Sequence, residues 1–324
     1  MKRFVAAVLA VSALSGLAGC ASNPPPQDNG SIETFSIATG NATGNYDRAA
    51  IDLQAVLQDT PYRFELRETT GSIENIEAVG MGEANLGFSQ LDTRVYLEQF
   101  GDATQQESLK NAQLFAPVSN EVLHLIVRRD ADIDEPADLV GKRVSIGSQG
   151  SGTFVTAFVF YSLHGLDPDN EPNLENLNIQ EAVEGLVSGE LDAMFYTTAL
   201  GSPLLTEISA EVGEEIQLLA LVDRSILNGL EGIYQPTTIP ANTYPWQTED
   251  VPTYSTYSFI LVDRNLETQT VRELAKAIYG NAKSLQVKHS FWSLLSIDEA
   301  KRDITVSELD YHEGVKEFIA EPSQ

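Results

Sequence analysis

The chain has 324 residues and a formal net charge of −27, from 47 acidic and 20 basic side chains. This excess of acid argues against a nucleic-acid-binding surface, which needs clustered positive charge. The only cysteine is Cys20, so no internal disulfide can form.

The first 31 residues have the features of a lipoprotein leader and a tether. Lys2 and Arg3 precede an apolar run that is too short for a confident membrane span. The residues before Cys20, Leu-Ala-Gly, are similar to the bacterial lipobox. We therefore expect residues 1–19 to be a signal peptide and Cys20 to carry a lipid that anchors the protein to a bacterial membrane. The polar, proline-rich segment 20–31 is expected to be a flexible tether.

The remaining sequence alternates strand-like and helical patterns, which predicts an α/β fold. A first β-α-β-α-β series runs from Ile32 to Leu91, and the same alternation begins again near residue 130. Segment 111–129 is interpreted as two strand-like pieces, 253–263 as one long strand and 267–285 as one helix. Two α/β lobes joined by extended strands place a ligand cleft between them, beyond the carboxyl ends of the strands.

Five loops at those strand ends are rich in small polar residues and carry few charges. Their sequences are TGNATG, TTGSIEN, FSQLD, GSQGSGT and FYTT. Each loop alone could merely cap a helix or shape a turn. Five together at the ends of strands favour a binding site.

The loop 147–153, GSQGSGT, lacks the features of nucleotide and catalytic loops. Thr153 stands where a phosphate-binding loop requires lysine, and the glycine order does not match the dinucleotide fingerprint. A secreted serine hydrolase using Ser148 or Ser151 stays open as an unlikely alternative, since neither serine has a nucleophile-elbow sequence and both would need a histidine. We predict no catalytic residue, metal site or cofactor, because the histidines are widely spaced and His124 lies in an apolar strand, where packing is the expected role.

The loop 147–153 is better suited to bind an anionic ligand, because it leads into the start of a helix. Ser151, Gly152 and Thr153 open a helix whose first N–H groups lack internal acceptors and whose dipole is positive there. Gly71 and Ser72 open a second helix, with Ser72 either its N-cap or a ligand contact. The acidic residues show no distinguishing spacing and are interpreted as a solvated surface.

Several motifs together resemble the TAXI subgroup of solute-binding proteins from tripartite ATP-independent periplasmic (TRAP) transporters. They are TGNATGNY, TGSIENI, GFSQLD, DLVGKRVSIGSQGSGT and TIPANTYPWQTEDVPT. The similarity runs from about Ile37 to Asp263. Asp47 and Ala50 stand where the family often has tyrosine and glycine.

The resemblance implies a type II periplasmic-binding fold without enzymatic activity. Lobe 1 would comprise residues 32–126 and 254–324, and lobe 2 residues 127–253. The ligand would be a glutamate-like amino acid or a related dicarboxylate, delivered by lobe closure to a sodium-coupled TRAP permease. Presentation of the ligand to a membrane histidine kinase is the alternative.

The residues expected to contact the ligand come from the five loops. The start of the helix at 151–153 should hold a carboxylate, Gln90 and Asn75 should contact a second polar end, and two tyrosines should form walls. The predicted set is Tyr46, Gly71, Ser72, Asn75, Gln90, Ser151, Gly152, Thr153 and Tyr196. We further expect a periplasmic monomer that does not bind nucleic acid.

Overall fold

The computed structural model describes residues 32–42, 44–221, 227, 229–230, 232–306 and 309–321. The predicted signal peptide, Cys20 and most of the tether lie outside the described residues. The described part belongs to one compact unit, Ile32–Gln324.

Ten strands and eleven helices alternate along the described residues. The strands are β1 (Glu33–Ala38), β2 (Tyr62–Arg67), β3 (Leu86–Gln90), β4 (Ala112–Arg128), β5 (Val144–Ser145), β6 (Leu174–Glu175), β7 (Ala193–Thr198), β8 (Ile216–Leu218), β9 (Gln235–Ile239) and β10 (Val251–Asp263). The helices are α1 (Asn45–Val56), α2 (Ser72–Gly80), α3 (Leu91–Phe100), α4 (Ala103–Asn111), α5 (Gly152–Leu163), α6 (Ile179–Ser188), α7 (Pro203–Val212), α8 (Thr268–Gly280), α9 (Ala282–Lys288), α10 (Ile297–Val306) and α11 (Glu313–Ala320).

The first strands pair in parallel, as the sequence predicts. β1 lies between β2 and β3, and both pairings are parallel. Parallel neighbours need crossover connections, and the helices α1 and α2 supply them. All five residues of β3 are buried, whereas β2 lies at the edge and buries only Phe64 completely. The carboxyl ends of β1, β2 and β3 therefore meet at one edge of the sheet.

Two long antiparallel strands join this part of the sheet to the rest. The strand order is β2-β1-β3-β10-β4-β7-β5-β6, with β8 paired to β4 and β9 paired to β10. The prediction of two strand-like pieces in 111–129 is wrong, because β4 is one continuous strand of 17 residues. It pairs with β10 from Ala112 to Val122 and with β7 from Val122 to Val127, so the pairing with β7 begins where the pairing with β10 ends.

Three buried apolar clusters lie against the sheet. The largest draws mainly on residues 35–118 and 259–319, with Val155 and Ala199 in addition. The other two draw on residues within 122–254. The C-terminal helix predicted over 267–285 is divided into α8 and α9 at Asn281, whose side chain bonds to Ala277 O at 2.9 Å.

His124 is packed inside β4, as its apolar neighbours predict. Its ring is fully buried, with Nδ1 2.8 Å from Val122 O and Nε2 2.8 Å from the Tyr244 hydroxyl. Burial lowers the pKa of His124 to about 4. Among the described helices, none has the length and apolarity required to span a bilayer.

Candidate functional site

The five polar loops meet around one cavity of about 660 Å³, counted with the solvent at its mouth. Gly40 to Tyr46, Thr70 to Ser72, Gln90, Gly147 to Thr153 and Tyr196–Thr197 all contribute lining residues. The structure thus brings together every predicted loop, although the loops are distant in sequence.

The start of α5 opens into the cavity. A helix begins here as predicted, with Ser151 as its N-cap: the Ser151 Oγ accepts a hydrogen bond from the Phe154 N–H at 3.1 Å. The Ser151 N–H donates to Ser148 O at 2.8 Å. Helical geometry gives the N–H groups of Gly152 and Thr153 no intrahelical acceptor. The positive end of α5 therefore presents two donors to a ligand.

The start of α2 lies directly against the start of α5. The Ile73 N–H donates to Gly150 O at 2.9 Å. Gly71 has φ +133°, and a side chain there would lie 3.1 Å from the Cα of Ser151, so both backbone conformation and space require glycine. Gly71, rather than Ser72, is the N-cap residue of α2. Ser72 Oγ instead accepts from the Gln90 N–H at 3.3 Å and lines the cavity.

Two tyrosines form walls of the cavity. Tyr46 stacks on Phe88 with ring centroids 5.2 Å apart and meets Phe291 edge-on at 5.7 Å. Tyr196 is buried on β7. Burial raises the pKa of both hydroxyls, and the charge of Glu121 raises each further. Both therefore stay neutral and can donate or accept a hydrogen bond.

Gln90 and Thr153 link the cavity to the start of α5. Gln90 is 2% exposed, and its Oε1 has no hydrogen-bond partner in the described part of the protein. This oxygen lies so close to Gly152 that a methyl group at Gly152 would overlap it. Thr153 Oγ1 accepts from the Thr197 N–H at 3.2 Å, which attaches α5 to the end of β7.

Asn75 does not lie where the sequence placed it, since it is absent from the described lining of the cavity. Its amide is fully buried, donates to Thr39 O and to Phe88 O, and accepts from the Thr69 hydroxyl at 2.6 Å. These bonds hold the ends of β1 and β3 to α2. Asn75 therefore supports the site from behind and is not free to contact a ligand.

Glu121 lines the cavity and was missed in the sequence, where the acidic residues were interpreted as surface. The residue lies on β4, is 2% exposed, and its Oε1 has no partner among the described residues. Its pKa is raised to about 8, chiefly by burial; the nearby Ser258 hydroxyl opposes this shift and the charge of Asp92 adds to it. The sequence feature that could have predicted this burial is the position of Glu121 directly before the mostly apolar segment Val122–Val127.

The cavity lining in the described part of the chain contains no histidine, lysine or arginine. Ser151 Oγ is engaged in capping α5 and Ser148 lies half-buried in the same loop. Neither serine has a histidine in that lining, and histidine is the base of the serine triad. Within the described ranges, no three His, Cys, Asp or Glu side chains are grouped to hold a metal ion.

Comparison with solved structures identifies the fold. A protein from Bordetella bronchiseptica RB50 matches with a TM-score of 0.54 at 15% identity, covering 88% of this chain and 96% of that chain. A structure described as a periplasmic transporter also gives 0.54 at 15% identity, covering 88% and 91%. An ancestral arginine-binding protein, bound to arginine, gives 0.51 at 15% identity, covering 80% and 97%.

These likenesses confirm the predicted mixed α/β fold of periplasmic binding proteins. A sequence-family model extends the comparison over most of the chain, since it matches residues 37–322. This range holds all the loops that line the cavity. The chain belongs to the NMT1-like family.

Proposed function

We propose that the protein is an extracytoplasmic solute receptor for a small organic acid, a glutamate-like amino acid or a related dicarboxylate. The observation that carries the proposal is the start of α5, which opens into a cavity also lined by Ser72, Gln90 and Glu121. The N–H groups there, with Ser72 and Thr153, offer donors to a carboxylate without a formal cation. The binding proteins matched in fold make a receptor the favoured use of such a cavity.

We further propose that binding closes two lobes, residues 32–126 with 254–324 and residues 127–253. The apolar clusters support this division, because their members change between Val118 and Val122 on β4 and between Tyr254 and Phe259 on β10. The bond from Ile73 to Gly150 then joins the two lobes at the cavity. Closure replaces water on the ligand with hydrogen bonds from both lobes.

The resemblance to TAXI proteins supports delivery of the ligand to a sodium-coupled TRAP permease. In this proposal a lipid on Cys20 anchors a monomeric receptor to a bacterial membrane, and the segment 20–31 acts as a tether between the membrane and the folded receptor. Sodium-dependent uptake that requires this protein, with a permease gene beside its own, would support transport. A neighbouring histidine-kinase gene and no dependence of uptake on this protein would contradict it.

The receptor is proposed to be non-enzymatic. Its serines at the cavity lack a histidine base in the described lining, whereas the N–H donors at the start of α5 suit an anion. Incubation of candidate esters and amides with the protein should leave them intact. Turnover that Ser151→Ala abolishes would contradict this view.

Binding is tested by thermal-shift measurements and calorimetry with a panel of amino acids and carboxylates. A ligand at 100 times its Kd should stabilise the protein by ~2.7 kcal/mol. Gly152→Ala should weaken binding about tenfold or more, equivalent to ~1.4 kcal/mol, because the methyl group displaces the Gln90 carboxamide.

A matched control is Gly280→Ala, since a Cβ there meets open space at the end of α8. Its affinity should equal that of the wild type. If no compound in the panel stabilises the protein, or if Gly152→Ala binds as tightly as the control, the proposed site is wrong.

A further inference from the structure

The cavity is lined by groups of opposite electrostatic character. The start of α5 is positive and offers N–H donors. Glu121, on β4, is the one described lining residue that can carry a full charge near neutral pH. Its Oε1 is an acceptor without a partner in the described structure. A ligand that fills the cavity meets N–H donors at the start of α5 and the carboxyl group of Glu121.

Among the described residues, the groups that face Glu121 offer it no cation. The nearby side chains are Tyr46 of α1, Asp92 of α3, Tyr196 of β7 and Ser258 of β10, and each is neutral or acidic. The positive charge of Arg48 lowers the pKa of Tyr196 but does not contribute to the pKa shift of Glu121. Across the sheet, Thr256 of β10 pairs with Glu121 in register and is also buried.

Asp92 cannot share a ligand with Glu121, because its carboxylate is already bonded. Thr156 and Tyr234 donate to its Oδ2 at 2.6 and 2.9 Å, and the Thr93 N–H donates to its Oδ1 at 2.7 Å. Burial raises the pKa of Asp92 to about 6, so the group is charged at neutral pH. Its negative charge adds to burial in keeping the proton on Glu121.

We propose that Glu121 determines ligand specificity by pairing with an ammonium group, so that the site selects amino acids over carboxylic acids of the same length. This inference rests on the proposed function, since it concerns the same cavity. An ammonium group has three donors and no acceptor, which matches the unpaired oxygen of Glu121. A second carboxylate in that place would keep Glu121 protonated, because two carboxylates repel each other, and it could accept only the one hydrogen bond that the acid O–H donates.

A proton balance follows from this pairing. Without ligand, Glu121 is a neutral acid at pH 7, because its pKa is about 8. Pairing with an ammonium group favours the carboxylate, so the Glu121 O–H bond breaks and its proton passes to the buffer, while the ligand keeps its own proton. Binding of an amino acid at pH 7 therefore releases about one proton, whereas binding of a dicarboxylate leaves Glu121 protonated.

Calorimetry on matched pairs tests the inference. The pairs differ only in the amine: L-glutamate and glutarate, L-aspartate and succinate, L-leucine and 4-methylpentanoate. Titrations at pH 7 in phosphate and in Tris, which differ in ionisation enthalpy, give the number of protons released. We expect the amino acid of at least one pair to bind tenfold or more tightly than its partner, with release of about one proton.

Two variants assign the proton. Glu121→Gln should abolish the release and remove the preference for the amino acid. Glu65→Gln makes the same chemical change on the exposed face of β2 and should alter neither. Release can be measured in the wild type alone, so the test does not depend on the folding of Glu121→Gln.

The outcomes separate this inference from the proposed function. Equal affinity for the amino acid and the matching carboxylic acid in every pair that binds, or amino-acid binding without proton release, would overturn the role of Glu121 alone. Failure of every compound to bind the wild type would overturn both. Proton release that persists in Glu121→Gln would assign the titration to another group and refute the pairing.

Discussion

Replacing Glu121 with glutamine should make the unfolding free energy less sensitive to pH. Burial raises the pKa of Glu121 from an ordinary 4.5 to about 8. Between these values the folded chain holds a proton that the unfolded chain has lost, so the stability falls as pH rises. The difference between 4.5 and about 8, at ~1.36 kcal/mol for each pH unit, amounts to roughly 5 kcal/mol.

Glutamine keeps the shape of the protonated acid and has no charge at any pH. The free energy of unfolding of Glu121→Gln should therefore gain several kcal/mol relative to the wild type between pH 4.5 and pH 8.5. Urea unfolding followed by tryptophan fluorescence measures this difference, and the titrations shared by the two chains cancel. Parallel pH profiles would refute the conclusion that Glu121 is buried and protonated.

Three further substitutions test how the site is held together. Gly150→Ala should weaken ligand affinity about tenfold, because its methyl group would overlap Thr70 Oγ1 and push the starts of α2 and α5 apart. Adding Thr70→Ala should restore the affinity measured by calorimetry. A double variant that binds as weakly as Gly150→Ala would contradict the steric explanation. Asn75→Ala should lower the unfolding free energy by roughly 3 kcal/mol, because Thr39 O and Phe88 O lose buried donors, while the ligand affinity of the folded protein stays within a few fold; unchanged stability in urea would show that these bonds contribute little. His124→Gln should make the unfolding free energy less sensitive to acid. Burial lowers the pKa of His124 from 6.5 to about 4, so between these pH values the unfolded chain binds a proton that the folded chain does not bind. As pH falls through this range, the wild type should lose about 3 kcal/mol of unfolding free energy that the variant keeps. Equal losses in the two chains would place that acid sensitivity elsewhere.

The parts of the site that depend on local sequence could be predicted. Glycine-rich loops follow apolar strands, and the carboxyl ends of parallel strands meet at one edge, so the loops before α1, α2 and α5 converge. Ser151 before an apolar helix is a recognisable N-cap, and the structure places it there. These features need no knowledge of distant contacts.

The parts that depend on distant pairing could not be predicted. Asn75 sits in a polar loop motif, but its amide turns inward because the ends of β1 and β3 offer carbonyl acceptors there. Glu121 becomes buried because β4 continues past Asn120 between β10 and β7 as one strand, where two strand-like pieces were expected. Neither outcome is visible until the antiparallel strands are paired.

The most direct test of the central claim is a crystal structure of the protein with the carboxylate that binds most tightly in calorimetry. We predict one carboxylate group of that ligand within hydrogen-bond distance of the N–H groups of Gly152 and Thr153, inside the cavity walled by Tyr46 and Tyr196. A ligand bound elsewhere, or one in the cavity whose carboxylate makes no contact with the start of α5, would contradict the claim.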